Sequence, residues 1–263
     1  MTAMTYALRD SATMFRRDLQ HARRVPALTI SGLIVPVVLM LLFAGVFGHA
    51  LGATLAAQSA GTSYIDFLAP GILVMTAGFT AESTAISVCT DMNEGIIPRF
   101  RAMAIARASV LTGQVAGGAV RAMISGTLVV AVAVLLGFRS SASPVAWLAA
   151  AGVFALLAIA LTWITVAFGL LSKTPAGANS LALIPAFLPF ISSAFIPVSE
   201  ISGAGVRWFA ANEPFTPIID TLRGLMTGAV SGHDAALAIA WCVGLALAGY
   251  LWARALYNRP WRA

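Results

Sequence analysis

The chain has 263 residues, of which 59% are hydrophobic and only 10% charged, with a mean hydropathy of +0.89; this is too apolar for a soluble domain and fits an integral membrane protein. The formal net charge of +6 rests almost wholly on arginine, and basic residues beside apolar spans report orientation and contact with anionic lipid rather than nucleic acid. Cys89 and Cys242 both fall inside apolar runs, where they read as small packed hydrophobes rather than a disulfide.

In chain order, residues 1–27 carry Arg9, Arg16 and Arg23 at seven-residue spacing, with Arg17 and Arg24 beside them and Met4, Leu8, Phe15 and Leu19 on the opposite side. That pattern predicts a retained basic amphipathic helix in the membrane interface. Six apolar spans are expected within 28–256. The first runs from Leu28 to Phe47 with a kink at Pro36, and a loop without Lys or Arg follows from Gly48 to Ser63. The second runs from Phe67 to Thr90 and contains Glu82, an ionisable group that is costly at that depth. It reads either as a functional residue or as a structural partner of Arg121.

Between spans two and three lies a charged island, Asp91 to Arg107. Gly95 should end the arriving helix and Pro98 should suit the first turn of a new one. From there Ile97, Phe100, Met103 and Ala104 share one side while Arg99 and Arg101 point elsewhere and Arg107 closes the segment. Spacing leaves two readings open: a basic loop that fixes topology, or a docking helix for a cytoplasmic partner.

Span three is expected over Ser109 to Phe138, with Arg121 inside it, and span four over Val145 to Leu171, with Trp147 at the outer interface. A tight inner turn then holds Lys173, the single lysine, which is preceded by Ser172 rather than by the glycine of a phosphate-binding loop. By that route the chain cannot hydrolyse ATP. Span five, Ala178 to Ile196, is broken by Pro185 and Pro189, a form tolerated where a helix lines a cavity or packs on a neighbour. Two short helices, Gly205 to Ala211 and Pro217 to Met226, the latter with Thr216 as N-cap, suggest a re-entrant hairpin on the outer face. Asp220 and Arg223 read there as a surface pair. Span six, Ala235 to Leu256, leaves a tail over 257–263. Most of the basic residues then fall on the side of the two termini, which places both termini in the cytoplasm.

The run Glu94-Gly95-Ile96-Ile97 with Arg99-Phe100-Arg101, then Arg107, Val110-Leu111 and Gly113, resembles the segment after the second span of type-2 ABC exporter permeases of the daunorubicin-resistance kind. Phe195-Ile196-Pro197, Trp208-Phe209 and Asn212-Glu213-Pro214-Phe215-Thr216-Pro217 with Asp220 and Leu222-Arg223 resemble that family's stretch before its last span. Pro98 and Ala104 depart from it, standing where many relatives carry an acid and a proline.

The resemblance implies an all-α, six-span permease forming a single domain over 1–263, in a bacterial cell membrane. It implies a coupling helix whose contacts are Glu94, Ile97, Arg99, Phe100, Arg101, Met103 and Arg107. It further implies two cytoplasmic ATPase subunits that hold ATP and Mg, a second permease, identical or related, and contact with membrane lipid. The cargo implied is an amphipathic drug, lipid or glycolipid.

Candidate pathway residues are Thr76, Phe79, Thr80 and Ser83 on span two and Phe187, Phe190 and Ser193 on span five. No cofactor is expected on this chain. His21, His49 and His233 lack metal-ligand spacing, and no hydrolase motif occurs. The competing reading is a nucleotide-independent carrier or membrane scaffold, for which midplane ionisable residues such as Glu82 and Arg121 would be the sign.

Overall fold

The computed structural model describes residues 26–58, 63–95 and 107–258, and every regular element among them is helical. The helices are α1 (Pro26–Gln58), α2 (Tyr64–Asn93), α3 (Arg107–Leu135), α4 (Pro144–Leu171), α5 (Pro175–Phe187), α6 (Ala204–Asn212), α7 (Phe215–Thr227) and α8 (Gly232–Tyr257). The interfacial helix expected before Pro26, the docking segment Ile97 to Met103 and the tail from Arg259 lie outside the described residues.

Among the described residues four helices are long and apolar enough to cross a membrane: α2, α4, α8 and the Leu111–Leu135 part of α3. Two shorter apolar helical stretches, Gly32–Gly48 in α1 and Pro175–Ile191, occupy the positions expected for spans one and five.

Several boundaries differ from the sequence expectation. Helix α1 continues from Phe47 to Gln58 instead of giving way to a loop at Gly48. The extra segment is rich in Ala and Leu, strong helix formers that carry the helix through Gly48 and Gly52. Helix α2 begins at Tyr64, three residues early, because Asp66 turns back on Ser63: its Oδ2 accepts from the Ser63 backbone N–H (3.2 Å) and hydroxyl (2.9 Å). Arg107 opens α3 rather than closing the preceding segment. Helix α5 ends at Phe187 and tightens into a 3₁₀ turn over Leu188–Ile191, since Pro189 cannot continue the α-helical ladder.

The bundle is organised around α2. Leu68, Ile72, Val74, Met75, Ala77 and Val88 along it are all but inaccessible, and α1, α3, α4, α5 and α7 all pack on it. Helix α8 packs on α4 and α7 instead, leaving Leu247, Leu251 and Trp252 exposed on its far side, as expected of a helix facing lipid.

Side-chain contacts define two ends. At one, Val88 of α2, Leu111 and Val115 of α3, Val166 of α4 and Ala253 and Tyr257 of α8 form a separate cluster. The 172–174 turn joins it there, with Asn93 Nδ2 donating to the Lys173 carbonyl (3.2 Å). At the other end, the Arg139 N–H donates to Asp66 Oδ1 (3.0 Å), and the Ser140 and Ser141 hydroxyls donate to the carbonyls of Met226 (2.6 Å) and Thr227 (2.8 Å). Helices α6 and α7 sit at this second end. Val206, Trp208 and Phe209 of α6 are exposed there, while Phe215, Ile218, Ile219, Leu222 and Met226 of α7 face the core.

Candidate functional site

Helices α1 and α5 flank α2, each packing on it rather than on the other. The seam between α2 and the chain of α5 is closed by small residues. A Cβ on Gly78 would lie 2.7 Å from Ala186 Cα, and one on Gly71 would lie 2.7 Å from Ala194 Cα. Only glycine permits so close a backbone approach.

On this face six phenylalanines form a continuous row. Phe79 of α2 meets Phe187 edge-on at 5.3 Å, Phe187 stacks with Phe190 (5.5 Å) and Phe190 with Phe195 (4.9 Å). Phe195 meets Phe43 of α1 (4.4 Å), which stacks on Phe47 (5.4 Å). Contacts of this kind add to burial energy through ring quadrupoles. Three of the sequence candidates, Phe79, Phe187 and Phe190, are thus brought together; Phe43, Phe47 and Phe195 extend the set. Spacing within a single helix could not reveal that the row crosses three segments.

The hydroxyl candidates sit differently. Thr76 and Thr80 are buried, and each donates to a carbonyl one turn back, Ile72 (2.8 Å) and Thr76 (2.7 Å). Ser83 donates to the Thr80 carbonyl (2.7 Å) and is half-buried. It belongs to a half-open stripe of Glu82, Ser83, Ile86, Ser87 and Thr90 that runs toward the exposed Glu94 at the end of α2. Positions 82, 86, 90 and 83, 87 share one helical face.

Arg121 of α3 also reaches α2. Its guanidinium is buried and donates to Thr84 Oγ1 (3.0 Å), and Thr84 lies two residues beyond Glu82, about 200° around the helix. Near the same end Gln114 Nε2 donates to Asp91 Oδ2 (3.0 Å).

At the opposite end Ser193 enters a different constellation. Its hydroxyl donates to Asp220 Oδ1 (2.8 Å) and its N–H to Thr216 Oγ1 (3.2 Å). Asp220 also accepts from Arg223. Arg223 in turn donates to the Ser193 carbonyl (2.7 Å) and the Phe67 carbonyl (3.3 Å) and lies 3.8 Å over the Phe67 ring. The pair expected to be a surface ornament is instead a clamp joining α7, the start of α2 and the chain after α5.

The N-cap expectation also changes. Pro214, not Thr216, stands at the N-cap of α7, and Glu213 just before it serves the first turn: its Oε1 accepts from the Thr216 N–H (2.7 Å) and hydroxyl (3.1 Å). The helix consequently starts at Phe215, two residues early, and Pro217 still falls in the first turn, where no N–H is required.

Glu213 is buried at the α6–α7 turn, outside the spanning helices, and burial pushes its carboxyl up to about 7 despite those hydrogen bonds. A carboxyl raised on folding holds its proton more tightly in the native state, so stability falls as pH rises from about 4.5, the unfolded value, through 7. Thermal unfolding in detergent is expected at a higher temperature at pH 5 than at pH 8. Glu213→Gln, which keeps the Thr216 acceptor, should flatten that difference.

Among the described residues no cluster of His, Cys, Asp and Glu could hold a metal ion. A bundle of apolar helices with a central buried helix, an aromatic face and clamped short helices at one end is that of a multi-pass membrane protein. Comparison with known proteins names the class: residues 10–227 match the model of the ABC-2 type transporter family, and the chain belongs to that family as a permease. It is 25% identical over 246 residues, 92% of this chain and 84% of the relative, to the daunorubicin resistance ABC transporter permease protein DrrB1 of Streptomyces coeruleorubidus. It is 23% identical over 199 residues, 76% of this chain and 70% of the relative, to the probable doxorubicin resistance ABC transporter permease protein DrrC of Mycobacterium tuberculosis.

Proposed function

We propose that the chain is the membrane subunit of an ATP-driven exporter that moves an amphipathic drug, lipid or glycolipid out of the cytoplasm or inner leaflet. The observation that carries this is α2: enclosed by five helices, it keeps a half-open stripe on its last turns that leads straight to Glu94 and the basic amphipathic segment after it. Force applied to that segment is delivered to the most tightly packed helix of the bundle. Ile97, Phe100 and Met103 dock on a cytoplasmic ATPase, with Glu94, Arg99, Arg101 and Arg107 around them. Two ATPase subunits hold ATP and Mg, and a second permease, identical or related, completes the assembly.

In this reading α1 and the Pro175–Ile191 stretch complete six spans, and α6 and α7 form a re-entrant hairpin. The end bearing Lys173 and Arg254 faces the cytoplasm with both termini, by the rule that basic residues collect inside. Cargo moves along the face bounded by α1 and α5, past Phe79, Phe187 and Phe190. The buried hydroxyls of Thr76 and Thr80, with Ser83 and Ser193, become available as the helices separate. The relatives are named for daunorubicin and doxorubicin resistance, and a row of phenylalanine rings suits the apolar part of an amphipathic drug.

The test is co-purification from the native membrane in mild detergent. The wild type should bring an ATPase with it, and the Phe100→Asp, Met103→Asp variant, inserted normally, should lose at least nine-tenths of it. A wild-type chain that brings no ATPase would turn the reading toward a nucleotide-independent carrier or scaffold.

A further inference from the structure

A cavity of about 200 Å³ opens between α3 and α4, on a different side of the bundle from the aromatic row, with Leu73 of α2 and Met226 of α7 also in its wall. Met123, Gly126 and Val130 come from α3, and Trp147, Ala151 and Phe154 from α4. Thr127 is the one hydroxyl in the lining, and it donates to the Met123 carbonyl of its own helix (2.8 Å). Nothing in the wall therefore calls for water or a polar ligand, and an apolar cavity of this kind admits an apolar guest.

Size and place narrow the guest. The volume lies below the range usual for drug-sized ligands, which favours a segment of one chain over a whole drug-sized molecule. Ile124 and Leu128 of α3 and Leu148 of α4 are exposed beside it, so the mouth opens onto lipid tails. Val130 and Met123 lie five and twelve residues before the end of α3 at Leu135, roughly 8 and 18 Å along the axis. Trp147 and Phe154 lie three and ten residues into α4, roughly 5 and 15 Å. The cavity thus extends about 10 Å along both helices, some two-thirds of one leaflet's hydrocarbon depth of about 15 Å.

The connection beside the cavity carries a basic residue. Ser140 accepts from the Trp147 indole N–H (3.1 Å) and donates to the Met226 carbonyl (2.6 Å), so two residues of the wall hold the 136–143 connection in place. Exposed Arg139 stands next to Ser140 on that connection. We infer that this cavity is a binding site for one acyl chain of an anionic phospholipid, with Arg139 placed toward its phosphate. The site is separate from the proposed export path, and which leaflet it faces follows from the topology proposed above.

The experiment uses the full chain in liposomes of phosphatidylcholine containing a trace of phosphatidylglycerol with a diazirine in the acyl chain, and labelled peptides are mapped after illumination. Labelling of the Met123 and Met226 peptides should exceed that of the exposed Leu247 to Trp252 face of α8 at least fivefold. Ala151→Trp should reduce it to the α8 level, and Thr127→Phe, which fills the mouth from a position facing lipid, should do so even if the first variant does not fold. Arg139→Gln should leave chain labelling in place but remove the preference for the glycerol headgroup over a choline analogue. Labelling no greater than at α8, or unmoved by the folded filling variants, would overturn the site; a preference unchanged in Arg139→Gln would overturn the headgroup contact. Liposomes present the probe in both leaflets, so these results do not depend on transport, ATPase binding or orientation.

Discussion

Arg223→Ala should be among the most damaging single substitutions in the chain, lowering stability in detergent by about 2 kcal/mol, because the guanidinium of this half-buried pair is the shared donor for groups on three segments. Four groups lose their contact together. Asp220 loses its cation, the Ser193 and Phe67 carbonyls lose their donor, and the Phe67 ring loses the guanidinium over its face.

Asp220→Ala should cost less. It leaves Arg223 its two carbonyls and its ring and removes only the carboxylate and the Ser193 hydroxyl bond. Arg223→Lys should behave nearly as badly as Arg223→Ala, since an ammonium cannot serve a carboxylate and two carbonyls in a planar fork. Thermal unfolding of the three purified variants checks the order. Equal losses for Arg223→Ala and Asp220→Ala would mean that the ion pair alone, and not the tie to α2, matters.

This clamp shows where sequence reading stops. Phe67 and Arg223 stand 156 residues apart, and nothing in either neighbourhood announces the other. The prolines after Ala178 were different: a ring without an N–H writes the break of α5 into the sequence itself, and the 3₁₀ turn at Leu188–Ile191 is its direct product. Helix α4 was legible to within one residue because a continuous apolar run of that length has one stable form in lipid. The end of α1 was misread because Gly48, Gly52 and an absence of charge look like a loop, whereas the alanines between them favour helix.

The candidate site divides along the same line. Phe79 and Phe187 were identifiable as large groups on neighbouring spans, but their edge-on contact depends on Gly78 and Ala186 bringing the backbones together. Glu82 and Arg121 were visible as costly intramembrane charges. Their directions were not: the Thr84 hydroxyl that Arg121 meets lies two residues beyond Glu82, on another side of the helix.

The same close approach yields the second large effect. Gly78→Ala adds one methyl group, yet that carbon would lie 2.7 Å from Ala186 Cα and 3.3 Å from its Cβ. The obstruction is backbone, so no rotamer change relieves it and α5 must move away from α2. A loss of about 3 kcal/mol is expected, at the upper end for overpacking, and larger residues at the position should prevent a folded product.

Ala186→Gly should fail to rescue Gly78→Ala, because it removes the Cβ at 3.3 Å and leaves the Cα at 2.7 Å. Gly152→Ala and Gly244→Ala form the control. Both are helical and would place the new methyl group where nothing lies within 4 Å, so each should be neutral or stabilising by up to about 1 kcal/mol. Full rescue by Ala186→Gly would mean that the two side chains alone set the seam. Losses at Gly152 and Gly244 matching that at Gly78 would mean that helix packing in this single chain is not what makes glycine necessary, and would move the explanation to surfaces that meet another subunit.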